Sequence, residues 1–263
     1  MQTFFDRIIK PYIIENKYTS ICEIGAEHGG NTDKLLSINA VRLSIIDPCI
    51  DEDLCSKYEK NERIRVYKGL SLEVLPKASQ QSDCFLIDGD HNWYTVYNEL
   101  KAIHEGDLLK EGGTIFLHDV CWPYGRRDMY YLPESIPERF RHPYAKKGIE
   151  RGKSELSESL MFNNYLNNVL YEGNPKNGVL TAIEDFLNEH GKTYMFFYFK
   201  RKFGLGFLIK RKNVKTKIIF FKWFCLIKYY EIVEKIMSFI ERRCPFLYQC
   251  GAKVAKIFLR KSD

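Results

Sequence analysis

The 263-residue chain has no run of about 20 uncharged apolar residues, the length a helix needs to cross a bilayer. It has no CxxC pair. The eight cysteines, Cys22, Cys49, Cys55, Cys84, Cys121, Cys225, Cys244 and Cys250, stand apart, several of them in apolar runs. No cysteine–histidine spacing supports a structural zinc site. A reduced, cytosolic chain with buried thiols is expected. The start, Met1 to Lys10, carries Asp6 and Arg7 inside its apolar pattern and lacks the basic-then-apolar order of a signal peptide. There is no internal repeat, no low-complexity segment and no GxGxxG. No nucleic-acid-binding module is recognisable, so no nucleic acid is expected as a partner.

What is present argues for a folded globule. Hydrophobic residues make up 45% and aromatic residues 14%, which excludes a disordered chain. The net charge of +6 is unevenly placed. Residues 214–263 hold eleven Lys/Arg and four Asp/Glu, so the tail carries +7 and residues 1–213 sum to −1. The basic character belongs to the tail.

Short apolar runs recur through the first half: Ser20 to Gly25, Val41 to Asp47, Ile64 to Tyr67, Asp83 to Asp88 and Thr114 to Leu117. Helical stretches alternate with them, from Asn31 to Leu36 and from Trp93 to Glu105. Gly112-Gly113 reads as a turn. This alternation predicts an α/β fold, a Rossmann-like, doubly wound, mainly parallel sheet with helices on both faces. In such sheets ligands bind at the carboxyl ends of the strands. Residues 121–178 lack periodicity and are too long for a plain connection, so they read as a substrate-covering insertion. Val179 to His190 returns to helical spacing. Tyr194 to Ile209 reads as two closing strands around Gly204-Leu205-Gly206. The domain division is 1–213 for the sheet domain and 214–263 for a basic, amphipathic helical tail.

Four polar clusters follow strand ends. The first is Glu23-Ile24-Gly25-Ala26-Glu27-His28-Gly29-Gly30. A glycine after the strand lets backbone approach a ligand, and the following helix offers free N–H groups. Glu27 would repel a pyrophosphate, which disfavours a nicotinamide cofactor. A cofactor bearing a sulfonium and an amine would be accepted, with Glu23 near the amine. An ordinary strand–turn–helix is the alternative. The second is Asp47, 22 residues beyond Gly25, placed to hold ribose hydroxyls or else to cap a turn. The third and fourth are Asp88-Gly89-Asp90-His91 and His118-Asp119. Converging acids suit a hard cation such as Mg²⁺, which could acidify a substrate hydroxyl while a neighbouring carboxylate takes the proton. Solvated helix-capping loops are the alternative.

With these residues in place, Glu23 to Asp119 resembles the class I S-adenosylmethionine-dependent methyltransferases. The DGDH and FHD segments are similar to those of metal-dependent sugar O-methyltransferases. The resemblance extends over about 190 residues, through Asn177-Gly178-Val179 to Phe186. It implies S-adenosylmethionine as cofactor, with Glu23, Gly25, Ala26, Glu27, Asp47, Gly69, Ser71 and Asp88 around it. It implies Mg²⁺ on Asp88, His118 and Asp119, with Asp90 as general base assisted by His91. Glu27 stands in place of the usual central glycine, and Gly69-Leu70-Ser71 in place of Gly-Asp-Ser.

The insertion crowds arginines and tyrosines, and Tyr124, Arg126 and Arg127 are expected to bind an acceptor, a sugar or glycoconjugate with an anionic group. A packing role is the alternative. The tail is expected to lie on an anionic membrane surface, placing a cytoplasmic protein on the inner face of the membrane. A partner helix or homo-oligomer interface is the alternative. The whole reads as an O-methyltransferase of polysaccharide biosynthesis, set against a non-catalytic scaffold on the same fold.

Overall fold

The computed structural model describes residues 1–243 apart from residues 40 and 160. Apolar runs that stop at Gly, Asp or Pro form the strands, because extended segments buried on both faces need no polar alternation. They are β1 (Ser20–Ile24), β2 (Arg42–Ile46), β3 (Ile64–Tyr67), β4 (Ser82–Ile87) and β5 (Leu109–His118), followed by β6 (Tyr194–Phe199) and β7 (Leu205–Lys210). One seven-stranded sheet runs in the order β6-β7-β5-β4-β1-β2-β3. The strands from β5 across to β3 pair parallel, whereas β7 pairs antiparallel with both neighbours. The fold is Rossmann-like, as expected.

The helices are α1 (Gly30–Leu36), α2 (Glu52–Glu59), α3 (Trp93–Glu105), α4 (Val179–His190) and α5 (Val214–Arg243). α3 begins where Asn92 accepts the Thr95 N–H at 2.8 Å, satisfying one orphan donor of the first turn. Val96, Leu100 and Ile103 recur on one face and are buried with Phe85, Ile87 and Leu117 of the sheet. Each such side chain contributes roughly 1.5–3 kcal/mol by leaving water. That packing fixes the strand ends, and so fixes the loops that follow them.

Several details differ from the sequence reading. Gly112 and Gly113 lie inside β5, not in a turn. Gly112 has φ +80°, and the pairing with β4 slips between Ser82 and Cys84, so the pair marks an irregularity within a longer strand. Leu205 and Gly206 belong to β7, leaving only Gly204 of that trio in the turn. Residues 2–15, not assigned from sequence, are helical and bury Phe4, Phe5, Ile8, Ile9, Tyr12 and Ile13. Of the described cysteines only Cys22 and Cys84 are buried, whereas Cys49 and Cys225 are exposed. Those two thiols lie in polar or helical surface segments that the apolar-run argument did not separate.

The insertion is ordered. Met129–Tyr130, Asn167–Val169 and Tyr144–Lys146 form a three-stranded sheet, and Gly148–Ile149 pairs with Leu156–Ser157. The chain divides into two compact units, Met1–Lys217 and Ile218–Asp263. Helix α5 accounts for the described part of the basic tail; the expectation for residues 244–263 lies outside the described residues. Among the described residues no helix is long and apolar enough to cross a membrane.

Candidate active site

β1, β4 and β5 end in register, with Ile24 opposite Ile87 and Ile87 opposite Leu117. The loops after them therefore emerge side by side. A Cβ on Gly25 would lie 2.5 Å from Gly89 Cα and 2.6 Å from the Asp88 carbonyl oxygen, and Gly25 has φ +86°. Only glycine meets both demands. The first and third polar clusters are thus pressed together.

Glu23, one residue before the end of β1, is 1% exposed. Its Oε2 accepts from Thr32 Oγ1 at 2.5 Å, while Oε1 has no partner. Burial pushes the carboxyl up to about 8, and the charges of Asp88 and Asp47 add to it. A buried acid with one oxygen unsatisfied suits a cationic amine, which would restore the carboxylate. Asp47 accepts from the Ala26 and Glu27 N–H groups, each at 2.8 Å on Oδ2, and from the Cys49 N–H at 2.7 Å on Oδ1. It therefore braces the glycine loop. Glu27 adopts φ +49°, a left-handed geometry that glycine takes most readily, and its side chain is 82% exposed. Ser71 turns inward instead of toward the strand ends: its hydroxyl donates to Glu99 Oε1 at 2.5 Å, and both residues are buried. Gly69 precedes that turn.

The acids of the other clusters meet as the sequence suggested. Asp88, His118 and Asp119 bring ligand atoms within 4.8 Å of one another. His118 Nδ1 lies 2.9 Å from Asp88 Oδ1 and 2.7 Å from Asp119 Oδ2. Asp88 Oδ2 also accepts from the Met1 amino group at 2.8 Å. Burial works against ionising these groups, but their opposite charges win. The charge and hydrogen bond of His118 hold the Asp88 carboxyl well below the usual carboxylate range. Asp88 and Asp119 raise His118 to about 9. Asp119 has φ +57°, a conformation costing a non-glycine residue about 1 kcal/mol, of the kind that clusters at functional sites.

His91 stands beside this group, 3.3 Å from Asp119 Oδ2 and 3.8 Å from Asp88 Oδ1, with neither ring nitrogen hydrogen-bonded. Tyr124 and Tyr131 flank its ring at centroid distances of 5.5 and 6.0 Å. Asp90 is drawn to the start of α3, where it accepts from Thr95 Oγ1 at 3.1 Å, and burial raises its carboxyl. The geometry therefore brings His91, and not Asp90, against the acid pair.

The insertion residues divide differently from expectation. Arg127 is fully buried and donates to the carbonyls of Val169 and Ser154, so it braces the insertion and is not available to an acceptor. Arg126 is held at the surface by Glu184, with N–O distances of 2.6 and 2.7 Å. Tyr124 presents its ring to His91 but commits its hydroxyl to Asn163 and Asn168. Sequence reasoning missed Asp128, which ties the insertion to the site. It accepts the Trp93 N–H at 2.7 Å, the Gly178 N–H at 2.6 Å and the Tyr130 hydroxyl at 3.1 Å. Tyr131, one of the tyrosines crowded into the insertion, is 53% exposed.

Topology and site together define a Rossmann-like α/β fold with acids and histidines gathered at the ends of its parallel strands. Residues 22–120 match the family described as a methyltransferase domain. No curated protein matches the chain in sequence. Among solved structures, a Staphylococcus aureus protein provisionally described as a caffeoyl-CoA O-methyltransferase is similar at TM-score 0.47 and 17% identity, over 77% of this chain and 80% of that one. The SAH-bound Podospora anserina methyltransferase PaMTH1 is similar at TM-score 0.47 and 14% identity, over 76% and 75%. The MycE methyltransferase of the mycinamycin biosynthetic pathway, in complex with Mg and SAH, is similar at TM-score 0.36 and 18% identity, over 44% and 33%.

Proposed function

We propose that the protein transfers a methyl group from S-adenosylmethionine to a hydroxyl oxygen of a sugar or glycoconjugate, aided by a divalent cation. The convergence of Asp88, His118 and Asp119 beside the Gly25–Gly89 contact carries this reading. The unpartnered Glu23 Oε1 and the glycine cradle fit the cofactor's amine and main chain. Two carboxylates and an imidazole fit a cation such as Mg²⁺ or Mn²⁺. The exposed ring of Tyr131 suits the C–H face of a sugar.

In this reading the chain's residues position, deprotonate and exclude water. Glu23 holds the methionyl amine, and Asp47 keeps the glycine loop in shape and offers Oδ1 toward the ribose side. Asp88, His118 and Asp119 would hold the cation, which would supply charge stabilisation for an acceptor oxygen. His91 takes the acceptor's proton at Nε2, with Asp119 to stabilise the imidazolium that forms. Tyr124 fixes the ring's plane. Asp90 serves the helix start.

Transfer from labelled S-adenosylmethionine to a panel of glycosides and sugar nucleotides tests the proposal. Label is expected on a hydroxyl oxygen, with loss on adding a chelator and recovery with Mg²⁺. His91→Gln is expected to slow transfer by about 10²-fold and Asp90→Asn by less than about tenfold. The reverse ranking would overturn the assignment of His91, and full activity in chelator would remove the cation.

A further inference from the structure

We propose that one face of α5 docks onto an anionic lipid bilayer, lying in the plane of its surface. The helix exposes Ile218, Phe221, Tyr229, Ile232, Ile236 and Phe239 to water, and Cys225 is exposed as well. At 100° per residue these seven positions fall within an arc of about 80°. From Ile218 to Phe239 the stripe runs about 32 Å along the axis. A continuous apolar stripe of this length on a water-facing helix marks an interaction surface.

Charge decides the occupant. Lys222 falls about 20° outside one margin of the stripe, and Lys228 and Lys235 fall about 20° and 40° outside the other. No acidic residue of the sequence falls between these lysines on the stripe side; Glu231, the acid nearest in angle, lies about 80° beyond the margin, where it pairs with Lys228 at 2.8 Å. Basic residues thus line both edges of an apolar face, in a tail of net charge +7. A second copy laid on this stripe would set lysine against lysine along both edges. Anionic headgroups meet the same lysines with attraction while the acyl boundary takes the apolar stripe. The helix is not apolar enough to cross the membrane, which fits a surface position. Tyr229 lies within the stripe, where an aromatic with a polar tip suits the interface.

Flotation of the full chain tests this with two vesicle types, pure phosphatidylcholine and an equal mixture with phosphatidylglycerol. Binding is expected to the mixture alone, falling at least tenfold in high salt. The Phe221→Ser/Ile232→Ser/Phe239→Ser variant is expected to lose at least tenfold in binding, with helix content and S-adenosylmethionine affinity unchanged. Lys222→Gln/Lys235→Gln, which leaves the stripe intact, provides an independent reading should the triple variant lose helix content, and is expected to weaken binding severalfold. Equal binding to both vesicles, no binding, or wild-type binding by the lysine variant overturns the proposal. So does self-association by sedimentation that the triple variant abolishes without any vesicle binding.

Discussion

The loops after β1, β4 and β5 and the insertion at 121–178 use the same residue types to opposite ends. Both bury acids, tyrosines and a cationic side chain. In the insertion the buried acid and amide groups are matched within the fold, while Arg127 Nε and Trp122 Nε1 have no hydrogen-bond partner. Asp128 accepts from Trp93, Gly178 and Tyr130, Arg127 donates to two carbonyls, and Asn177 accepts the Asp128 N–H. In the strand-end loops they are not. Glu23 Oε1 and both nitrogens of His91 lack hydrogen-bond partners, three ligand-type groups crowd within 4.8 Å, and Asp119 is held at positive φ. Residue type does not separate chemistry from packing in this molecule; an unpartnered buried carboxyl oxygen and the crowding of ligand-type groups mark the strand-end loops.

Removing an insertion acid should therefore cost stability and spare binding. Asp128→Ala is expected to lower unfolding free energy by about 3 kcal/mol, because it strands three donors. Urea denaturation reads that loss. S-adenosylmethionine affinity of the folded fraction should change less than about threefold. A variant of wild-type stability that fails to bind the cofactor would erase the distinction between the two regions.

Glu99 sharpens the comparison from the site side. Its carboxyl, raised by burial to about 8 from 4.5, keeps its proton in the fold, and its Oε2 has no partner. The native state thus holds a proton that the unfolded chain releases, so the contribution of Glu99 to stability falls as pH rises from 4.5 toward 8. Glu99→Gln cannot ionise. At pH 8 the variant should be the more stable by about 1–2 kcal/mol, and the gain should shrink toward pH 5. A gain independent of pH would show that Glu99 is ionised in the fold.

The smallest effect belongs to Arg126. Its pair with Glu184 is solvent-exposed, so Arg126→Ala should cost no more than about 0.5 kcal/mol in chemical denaturation. Transfer should be unchanged, since the guanidinium does not face the acids. A tenfold loss of transfer would return Arg126 to the acceptor site.

The sheet was legible because short apolar runs recur between helical stretches, and three of the runs stop at Gly25, Asp47 and Asp88. The metal-type trio was legible for the same reason: residues following parallel strands in register share an edge. The N-terminal helical run was not, because a π-helical stretch over Phe5–Ile9 shifts its periodicity. The insertion was opaque because its strands are two or three residues long and depend on Asp128 and Asn177 contacts distant in sequence. Asp90 and His91 were ranked by residue chemistry, whereas their order depends on which way each turns at the start of α3. Arginine and tyrosine density suggested recognition in the insertion, while burial assigned Arg127 to packing.

Calorimetric titration of S-adenosylmethionine into the full chain and into Glu23→Gln tests the central claim most directly, because Glu23 offers the one buried acid oxygen without a partner at the glycine loop. Single-site binding to the wild type, weakened at least about tenfold in a Glu23→Gln variant of unchanged fold, is the predicted result. No binding by the wild type, or equal affinity in the two proteins, would contradict it.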